Sequence, residues 1–598
     1  MEALDLVVVG AGISGLAAAK AFHQLNPDKS LAVLDASSSL GGVWAKHRLY
    51  PGLKSNNMLG TYEYPDFPMD TETFGVKPGQ HIPGTVMHEY LSKYAEKFGI
   101  ADKIRCSTKV LSAEHQDGAE GGWVLTADGA DKKIFARKMI LATGLTSEPF
   151  LPEFEGQSEF GATIFHGKDF LQHADTLDTA KSVTVFGGTK SAWDAVYAYG
   201  SKGIKVDWVI RESGHGPAWM APPYVTPLKK WLEKLVHTRM LTWFSPCVWG
   251  GADGYTGMRN FYHGTAIGRA ITNTFWGILG GDVITLNKFD SHPETKKLKP
   301  WSHPMFVASS FSILNYPTDF FELVRNGTAK VHIADITKLS PRSVHLSDGT
   351  VISETDALCC VTGWKHLPPM KLLPEGIEKE LGLPHTPAGN SDPLYADDLV
   401  AQADKEILSR FPRLKNPPVQ NKRLKPLLET PGISTKEAVN PSSPLTPYSL
   451  YRFMVPANEK FLKTRDIAFA GVVMSFTTLP IAHAQSVWIS AYFNDQLPPT
   501  VLPKAKKTDA HQAGKSVDEL RYETVLHARF GKWRYPAGHG SQFPDFVFDA
   551  LPYVDLLVGD LGLKVHRKNG WLAEATEPYG PEDYKNLVDE FKDKTASA

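Results

Sequence analysis

Two glycine-rich loops, beginning at Gly10 and Gly187, constrain the fold of this chain more than any other feature. The first follows an apolar run, Leu6–Val9, and has the pattern G-x-G-x-x-G before an alanine-rich segment. A second apolar run then ends at Asp35. Strand, glycine loop, helix, strand and acid in this order are typical of a βαβ unit that binds a dinucleotide.

Each residue of the first loop has a physical role in such a unit. Gly10 permits the tight turn, Gly12 lets the backbone approach a pyrophosphate, and Gly15 allows close packing of helix on strand. The helix N-terminus, which includes Ser14, favours the phosphate charge. Asp35 would accept a hydrogen bond from a ribose hydroxyl. We therefore expect these five residues to bind a first dinucleotide.

The second loop is less regular. It follows the predicted strand Val183–Phe186, and the residues that we expect to bind a second dinucleotide are Gly187, Gly188, Thr189, Lys190, Ser191 and Ala192. Thr189 stands where the pattern has its second glycine, so a Cβ would crowd the pyrophosphate. Lys190 is expected to offset this with its charge. An ordinary βαβ crossover with an accidental glycine pair is the alternative.

A cation follows the second strand of this unit. Arg211 comes after the predicted strand Val206–Ile210, at the position that Asp35 has in the first unit. A cation there suits the 2′-phosphate of NADPH. Two dinucleotides on one chain imply electron transfer between them.

Composition excludes several other functions. The 598 residues carry a net charge of −1, so no electrostatic footprint for nucleic acid is present. The four cysteines lack C-x-x-C or zinc spacing, which argues against a redox disulfide or structural metal. The first strand begins so early that no signal peptide is expected, and no apolar run is long enough for a transmembrane helix. A cytoplasmic location is predicted.

The predicted fold class is α/β, with two Rossmann-like dinucleotide-binding domains, an inserted helical region and a C-terminal extension. The insertion is rich in tryptophan, and we expect it to line a substrate passage; peripheral contact with a membrane is the alternative. The extension is predicted to be helical and packed, with a frayed polar end. The expected segments are 1–172 (first domain), 173–335 (second domain, insertion 215–330), 336–530 (first domain again) and 531–598 (extension).

Between the loops lies a stretch that resembles a known fingerprint. Phe160, His166 and Phe170 match F-x-G-x-x-x-H-x-x-x-[Y/F] of the flavin-containing monooxygenases, with Ala162 in place of the glycine. The related Baeyer–Villiger monooxygenases carry tryptophan at the last position, so Phe170 favours the first group. We interpret His166 as a structural or hinge residue.

A stretch after Asp35 is similar to both groups. Gly42 and Trp44 belong to the G-G-x-W run of the flavin side, and Tyr50-Pro51-Gly52 is similar to the Y-P-G of Baeyer–Villiger enzymes. Those enzymes have an aspartate five residues after the proline, where this chain has Asn56. In flavin-containing monooxygenases the matching asparagine lies beside the reactive edge of the flavin, so the resemblance implies a catalytic role for Asn56. A simple turn residue is the alternative.

The resemblance extends to other flavin-side positions. His483 stands where the family usually has glutamate, so the resemblance assigns no role to the turn around His483. The residues that the resemblance implies for flavin binding, beyond the first loop and G-G-x-W run, are Val110, Ala142, Thr143, Gly144, Gly471 and Gln485.

The resemblance implies FAD, NADPH and O₂ as reactants, with oxygen activated as a flavin C4a-hydroperoxide. The leading hypothesis is oxygenation at nitrogen or sulfur, because Asn56 and Phe170 speak against Baeyer–Villiger chemistry. The runs YPGLKSN and GGTKSAWD are similar to fungal members associated with secondary metabolism, which implies a small natural-product substrate. Baeyer–Villiger oxidation of a ketone is the first alternative. A flavin-binding redox module without oxygenation is the second. Oligomeric state is left open.

Overall fold

The computed structural model describes most of the chain. The ranges described are 1–118, 120–129, 132–226, 229–308, 310–418, 421–436, 444–504 and 514–597. Residues 384–445 are rich in proline, lysine and aspartate, and this composition predicts a surface excursion with a helix at Asp397–Arg410. This segment falls partly outside the described ranges.

The first sheet carries the first glycine loop. Glu2–Val9 lies near its centre and pairs in parallel with Leu31–Leu34 on one side and with Ile134–Leu141 on the other. Ile467–Phe469 also pairs with Ile134–Leu141, off the main path. The order of the main path is Lys371–Leu373, Lys109–His115, Trp123–Asp128, Ile134–Leu141, Glu2–Val9, Leu31–Leu34 and Ile104–Arg105.

The second sheet carries the second glycine loop and is parallel throughout. Its strand order is Thr163–His166, Ala357–Cys360, Ser182–Phe186, Lys205–Ile210 and Ala329–Ile333. Two of these strands, Thr163–His166 and Ala357–Cys360, lie outside the range 173–335 expected for the second domain. The strand Ala357–Cys360 therefore belongs to this sheet, although it lies in the range 336–530 that is expected to return to the first domain. The division into domains stays a prediction.

Short hairpins and ribbons surround the two sheets. They are Lys54–Met58 with His81–Pro83, Glu153–Phe154 with Ile433–Ser434, Trp219–Ala221 with Phe311–Ile313, Tyr224–Val225 with Lys230–Trp231, Leu450–Tyr451 with Val455–Pro456, and the three strands Ile336–Ser340, Ser343–Leu346 and Val351–Ile352.

Helices cover the sheets and fill the insertion and the C-terminal region. Those up to residue 325 are Ile13–Leu25, Thr71–Phe74, Gly84–Lys97, Thr176–Thr179, Lys190–Gly200, Leu232–Val236, Arg239–Thr242, Thr256–Gly264, Ala266–Leu286, Pro293–Lys296 and Phe320–Arg325. Those beyond it are Ile377–Leu381, Asp397–Arg410, Glu459–Thr464, Thr478–Phe493, Val517–Arg534, Ala550–Asp560, Trp571–Thr576 and Leu587–Ala596.

These elements confirm the predicted α/β class with two Rossmann-like units, a helical insertion and a helical C-terminal region. No helix in the ranges described above is long and apolar enough to cross a membrane. All four cysteines are free thiols. Among the same residues no group of histidine, cysteine, aspartate and glutamate side chains is arranged to hold a metal ion.

The C-terminal region is more firmly packed than its polar sequence predicts. The expected boundary at 531 falls inside the helix Val517–Arg534. The last helix, Leu587–Ala596, buries Leu587, Val588 and Phe591 in the core that also contains Leu16 of the first helix. The expected frayed end is therefore wrong up to residue 596, because apolar residues at helical spacing give this segment a buried face.

We expect Phe591→Ala to lower the free energy of unfolding by about 3 kcal/mol or more, because the ring is 1% exposed and its removal leaves a cavity. Chemical denaturation followed by tryptophan fluorescence measures this as a lower midpoint. The matched control is Asp593→Ala, an exposed change in the same helix. Equal midpoints for the two variants would show that the last helix contributes nothing to the core.

Candidate functional site

The first loop is a turn that requires glycine at two positions. Gly10 has φ +111°, and a Cβ there would lie 2.4 Å from the carbonyl oxygen of Ala142. A Cβ at Gly15 would lie 1.8 Å from the oxygen of Gly10. The helix Ile13–Leu25 can therefore start against the strand end because neither residue has a side chain.

A cleft of about 400 Å³ opens at this turn. A Cβ at Gly12 would lie 3.5 Å from the Cα of Gly42, so two facing glycines keep the floor of the cleft free of side chains. This cradle fits a pyrophosphate that must approach the backbone closely. The predicted flavin-side residues that line the cleft are Gly10, Gly12, Ser14, Asp35, Gly42, Val110, Ala142, Thr143, Gly144 and Gly471.

Asp35 is held by the backbone beside the cleft. One carboxylate oxygen accepts the N–H of Ala11 at 2.7 Å, and the other accepts the N–H of Ser37 at 2.8 Å. Each oxygen keeps acceptor capacity for a ribose hydroxyl.

Three of the predicted flavin-side residues do not line the cleft. Gly15 lies beneath the turn, where it allows the packing described above. Trp44 is buried and its ring lies 6.4 Å from that of Tyr62, which does line the cleft. Gln485 is a correction, because it is buried and donates to the hydroxyl of Tyr553 at 2.9 Å.

Positive potential at the cleft comes from groups that sequence reasoning missed. Ser475 and Thr478 line it at the start of the helix Thr478–Phe493, so this helix directs its N-terminus there and favours negative charge. Arg48 and Lys168 also line the cleft. Burial lowers the pKa of Arg48 to about 10 and also lowers the pKa of Lys168. No local motif marks these groups, since they come from distant parts of the chain.

The second loop also forms a tight turn after its strand. Gly187 has φ +143°, and a Cβ at Gly188 would lie 2.6 Å from the oxygen of Gly216. Thr189 has extended backbone angles and precedes the helix Lys190–Gly200, whose residue Ala192 is buried. Thr189 and Ser191 are exposed. The Cβ of Thr189 therefore lies at the open side of the helix N-terminus.

Lys190 differs from its prediction. Its ammonium group is paired with Asp194, donates to Asn315 Oδ1 at 3.0 Å and lies 4.9 Å from the ring centre of Tyr316. Lys190 was expected to offset the crowding of a pyrophosphate by the Cβ of Thr189. Its charge is instead paired with the Asp194 carboxylate, four residues along the helix.

Arg211 is held by residues of the predicted surface excursion 384–445. Its guanidinium donates to Ser213 Oγ at 2.8 Å and to the backbone oxygen of Lys425 at 2.9 Å, and burial lowers its pKa. Asn421 donates to the backbone oxygens of Glu212 and Gly214. The segment 421–430 therefore packs along the end of the strand Lys205–Ile210.

Asn56 lies on the strand Lys54–Met58 and does not line the flavin-side cleft. Its Oδ1 is buried and has no hydrogen-bond partner among the described residues. The backbone of this strand is held by Asn315, whose amide donates to the oxygens of Lys54 and Ser55 at 3.3 and 3.2 Å. Asn315 thus connects Lys190 of the second loop to the strand that carries Asn56.

A second cleft, of about 640 Å³, runs beside this strand. Lys54, His81, Asn315 and Tyr316 are among its lining residues. Burial lowers the pKa of His81 to about 4, so its ring is neutral at physiological pH. The strand with Asn56 therefore has a cleft on the side of the second nucleotide unit.

His166 is buried, as expected for a structural residue. Its Nδ1 accepts the N–H of Lys168 at 3.0 Å, and its ring meets Trp364 edge-on at 5.1 Å. Burial lowers its pKa to about 4. His483 is also buried, and its pKa is likewise lowered to about 4 by burial.

The fold and the chain as a whole match known proteins. The open crystal structure of cyclohexanone monooxygenase matches with a TM-score of 0.51 at 16% identity, over 82% of this chain and 87% of that one. S-allyl-L-cysteine S-oxygenase from Allium sativum matches with a TM-score of 0.50 at 13% identity, over 100% and 93%. At these identities both matches concern the fold alone.

A full-length relative identifies the family, and a family model matches part of the chain. The model of the pyridine nucleotide-disulphide oxidoreductases matches residues 7–242. FAD-dependent monooxygenase resA of Aspergillus sclerotiorum is 33% identical over 614 residues, which cover 98% of each chain. The matches thus support both predicted cofactor classes, a flavin and a pyridine nucleotide, and confirm the predicted enzyme class. The chain belongs to the family of FAD-dependent monooxygenases.

Proposed function

We propose that this monooxygenase uses NADPH to oxygenate a nitrogen or sulfur atom of a small natural-product substrate. Bound FAD, once reduced, supplies the activation of O₂. The protein's own contribution is to hold the two nucleotides, to orient the substrate and to keep water away from the reacting atoms.

On this proposal the flavin-side cleft holds FAD. The facing glycines Gly12 and Gly42 receive the pyrophosphate, and Asp35 accepts a ribose hydroxyl. The N-terminus of the helix Thr478–Phe493 and the cations Arg48 and Lys168 favour the negative charge that the flavin gains on reduction.

NADPH is assigned to the second loop. The exposed turn at Thr189 and Ser191 leaves backbone N–H groups at a helix N-terminus, which suits a pyrophosphate. Arg211 at the adjacent strand end supplies charge for the 2′-phosphate, with the segment 421–430 fixing its guanidinium.

The observation that carries the choice of reaction is Asn56. Its buried Oδ1 lacks a partner in the described structure, and an unpaired buried acceptor costs about 1–3 kcal/mol. Such a group is explained by a ligand that donates a hydrogen bond. A neutral amide at this position favours oxygenation of a heteroatom over Baeyer–Villiger chemistry, in which the related enzymes have aspartate.

Tyr50-Pro51-Gly52 supports Baeyer–Villiger oxidation as the second candidate. In this structure, however, the Tyr50 hydroxyl donates to Asp194 Oδ2 at 3.2 Å. The motif therefore has a structural role here, in joining the first segment to the helix of the second loop.

For the flavin site, Gly12→Val should abolish FAD binding, because a branched side chain would fill the space between Gly12 and Gly42. The absorbance of bound flavin in the purified, folded protein measures this. Gly118→Val is the control, since a Cβ there meets nothing within 4 Å. A yellow Gly12→Val protein with full flavin content would refute the assignment of the cleft.

For coenzyme choice, Arg211→Ala should raise the KM for NADPH roughly 10- to 150-fold, the range expected for a charge-assisted phosphate contact, and leave the KM for NADH nearly unchanged. Steady-state kinetics with both coenzymes measure the effect. Thr430→Val is the matched control, because it removes one hydrogen bond of Arg211 without removing charge. A wild type that prefers NADH, or equal losses with both coenzymes in Arg211→Ala, would show that Arg211 is misassigned.

For the reaction, the Asn56→Ala variant should still consume NADPH but release hydrogen peroxide in place of oxygenated product. Alanine lacks the amide that, on this proposal, orients groups at the reacting atoms. Product per NADPH and a peroxide assay measure the coupling. Asn494→Ala, a change at a half-buried residue just past the end of the helix Thr478–Phe493, is the control.

Asn56→Asp separates the two reactions. The resemblance implies that residue 56 lies beside the reactive edge of the flavin, so on the proposed function a carboxylate there faces a reduced, anionic flavin. Like charges are unfavourable, and product should fall with amines, sulfides and ketones alike. Gain of ester or lactone from a ketone would instead establish the Baeyer–Villiger reaction. Unchanged coupling between NADPH consumption and product formation in Asn56→Ala would show that this residue has no role in the mechanism. A wild-type protein that forms no oxygenated product from any of these substrates would favour a redox module.

A further inference from the structure

A small chamber lies between the insertion and the C-terminal region, apart from both clefts. Its walls are mostly apolar and include the aromatic rings of Trp276, Phe311, Phe476 and Phe548. Phe476 directly follows Ser475, which lines the flavin-side cleft. The chamber is therefore adjacent to the proposed flavin site.

Two charged side chains reach this apolar chamber, and they differ in how well they are paired. Glu233 accepts from the N–H of Met58 at 3.2 Å, from Thr61 Oγ1 at 2.5 Å and from Trp231 Nε1 at 2.6 Å. Its carboxylate thus has partners for both oxygens, and it ties the chamber to the strand that carries Asn56.

Arg534 is the other charged group, and it is 1% exposed. Its Nη2 donates to Ser245 Oγ at 2.8 Å, whereas its Nε and Nη1 have no hydrogen-bond partner among the described residues. Its guanidinium lies 5.3 Å from the ring centre of Trp276 and 4.4 Å from that of Tyr535. A buried cation in such surroundings is unfavourable unless an anion pairs with it.

The buried acid Asp549 interacts with this cation through charge but not through a hydrogen bond. Burial raises the pKa of the Asp549 carboxyl, and the charge of Arg534 opposes that effect. The carboxylate accepts from the hydroxyls of Ser245 and Tyr535, and Ser245 stands between it and the guanidinium. The donors Nε and Nη1 are left for a group that is not part of the chain.

We propose that this chamber binds the apolar body of the substrate and that Arg534 pairs with a carboxylate on it. The substrate class is thus an aromatic or other apolar molecule that carries a carboxylate. Aromatic walls give the affinity for the body, and the guanidinium selects the anionic group. The link to the substrate rests on the proposed function.

Entry of such a molecule requires the walls to move apart. The chamber now has about 20 Å³, room for one water molecule. The helix Ala266–Leu286 forms one wall through Trp276 and Leu279 while Ile267 and Ile278 on its other side are exposed, so outward movement of this helix breaks contacts on one face alone.

The test is binding of a matched acid and ester, which requires no turnover. Isothermal titration calorimetry with the FAD-loaded full chain should give an affinity for 4-phenylbutanoate roughly tenfold or more above that for methyl 4-phenylbutanoate. Arg534→Gln should abolish this preference, and Arg534→Lys should keep part of it. Arg529→Gln is the matched control, because Arg529 lies in the same helix but pairs with Asp404 outside the chamber.

Equal affinities for acid and ester, absence of acid binding to the wild type, or an acid preference that survives in Arg534→Gln would each overturn the inference. The first two results need no variant and decide the matter even if Arg534→Gln fails to fold. Selective binding of the acid by a protein that oxygenates none of the amines, sulfides and ketones named above would keep the anion site and refute the proposed reaction. Oxygenation of an amine or sulfide by a protein that binds acid and ester equally would keep the proposed reaction and refute the anion site.

Discussion

The Asp194 carboxylate joins the two nucleotide units, and the geometry between them depends on it. It accepts from the hydroxyls of Tyr50 and Tyr316 and pairs with Lys190. Burial raises the pKa of both tyrosines well above the ordinary value, so their hydroxyls remain donors. Through Lys190 and Asn315 this network reaches the strand that carries Asn56. Removal of one member of such a network leaves the others unpaired, which costs more than a single hydrogen bond.

Local patterns predicted those parts of the fold that neighbours in sequence determine. The first loop, its helix and the acid after the next strand need contacts within about 30 residues, typical of a βαβ unit. The helix Asp397–Arg410 was likewise predicted with the bounds that the structure has. Composition alone marked the insertion as aromatic, and Trp276 and Phe311 of this region line the small apolar chamber.

Predictions were wrong or missing for side chains whose positions are determined by contacts between segments that are distant in the sequence. The position of Gln485 depends on Tyr553 in the C-terminal region, and the direction of Lys190 depends on Asn315. Glu233 and Arg534 appear in no motif, because their importance comes from the burial that other segments impose. Gly10 and Gly15, in contrast, were predictable from the local pattern, because the backbones approach so closely at this turn that only glycine fits.

The packing of Leu587–Ala596 on Ile13–Leu25 has a consequence for synthesis on the ribosome. The helix that follows the first nucleotide loop is synthesised before the whole intervening chain, and part of its covering surface only after it. Folding that proceeds from the N-terminus therefore cannot complete this core until Leu587–Ala596 has been synthesised. Until then, the part of the first helix that this segment covers stays exposed.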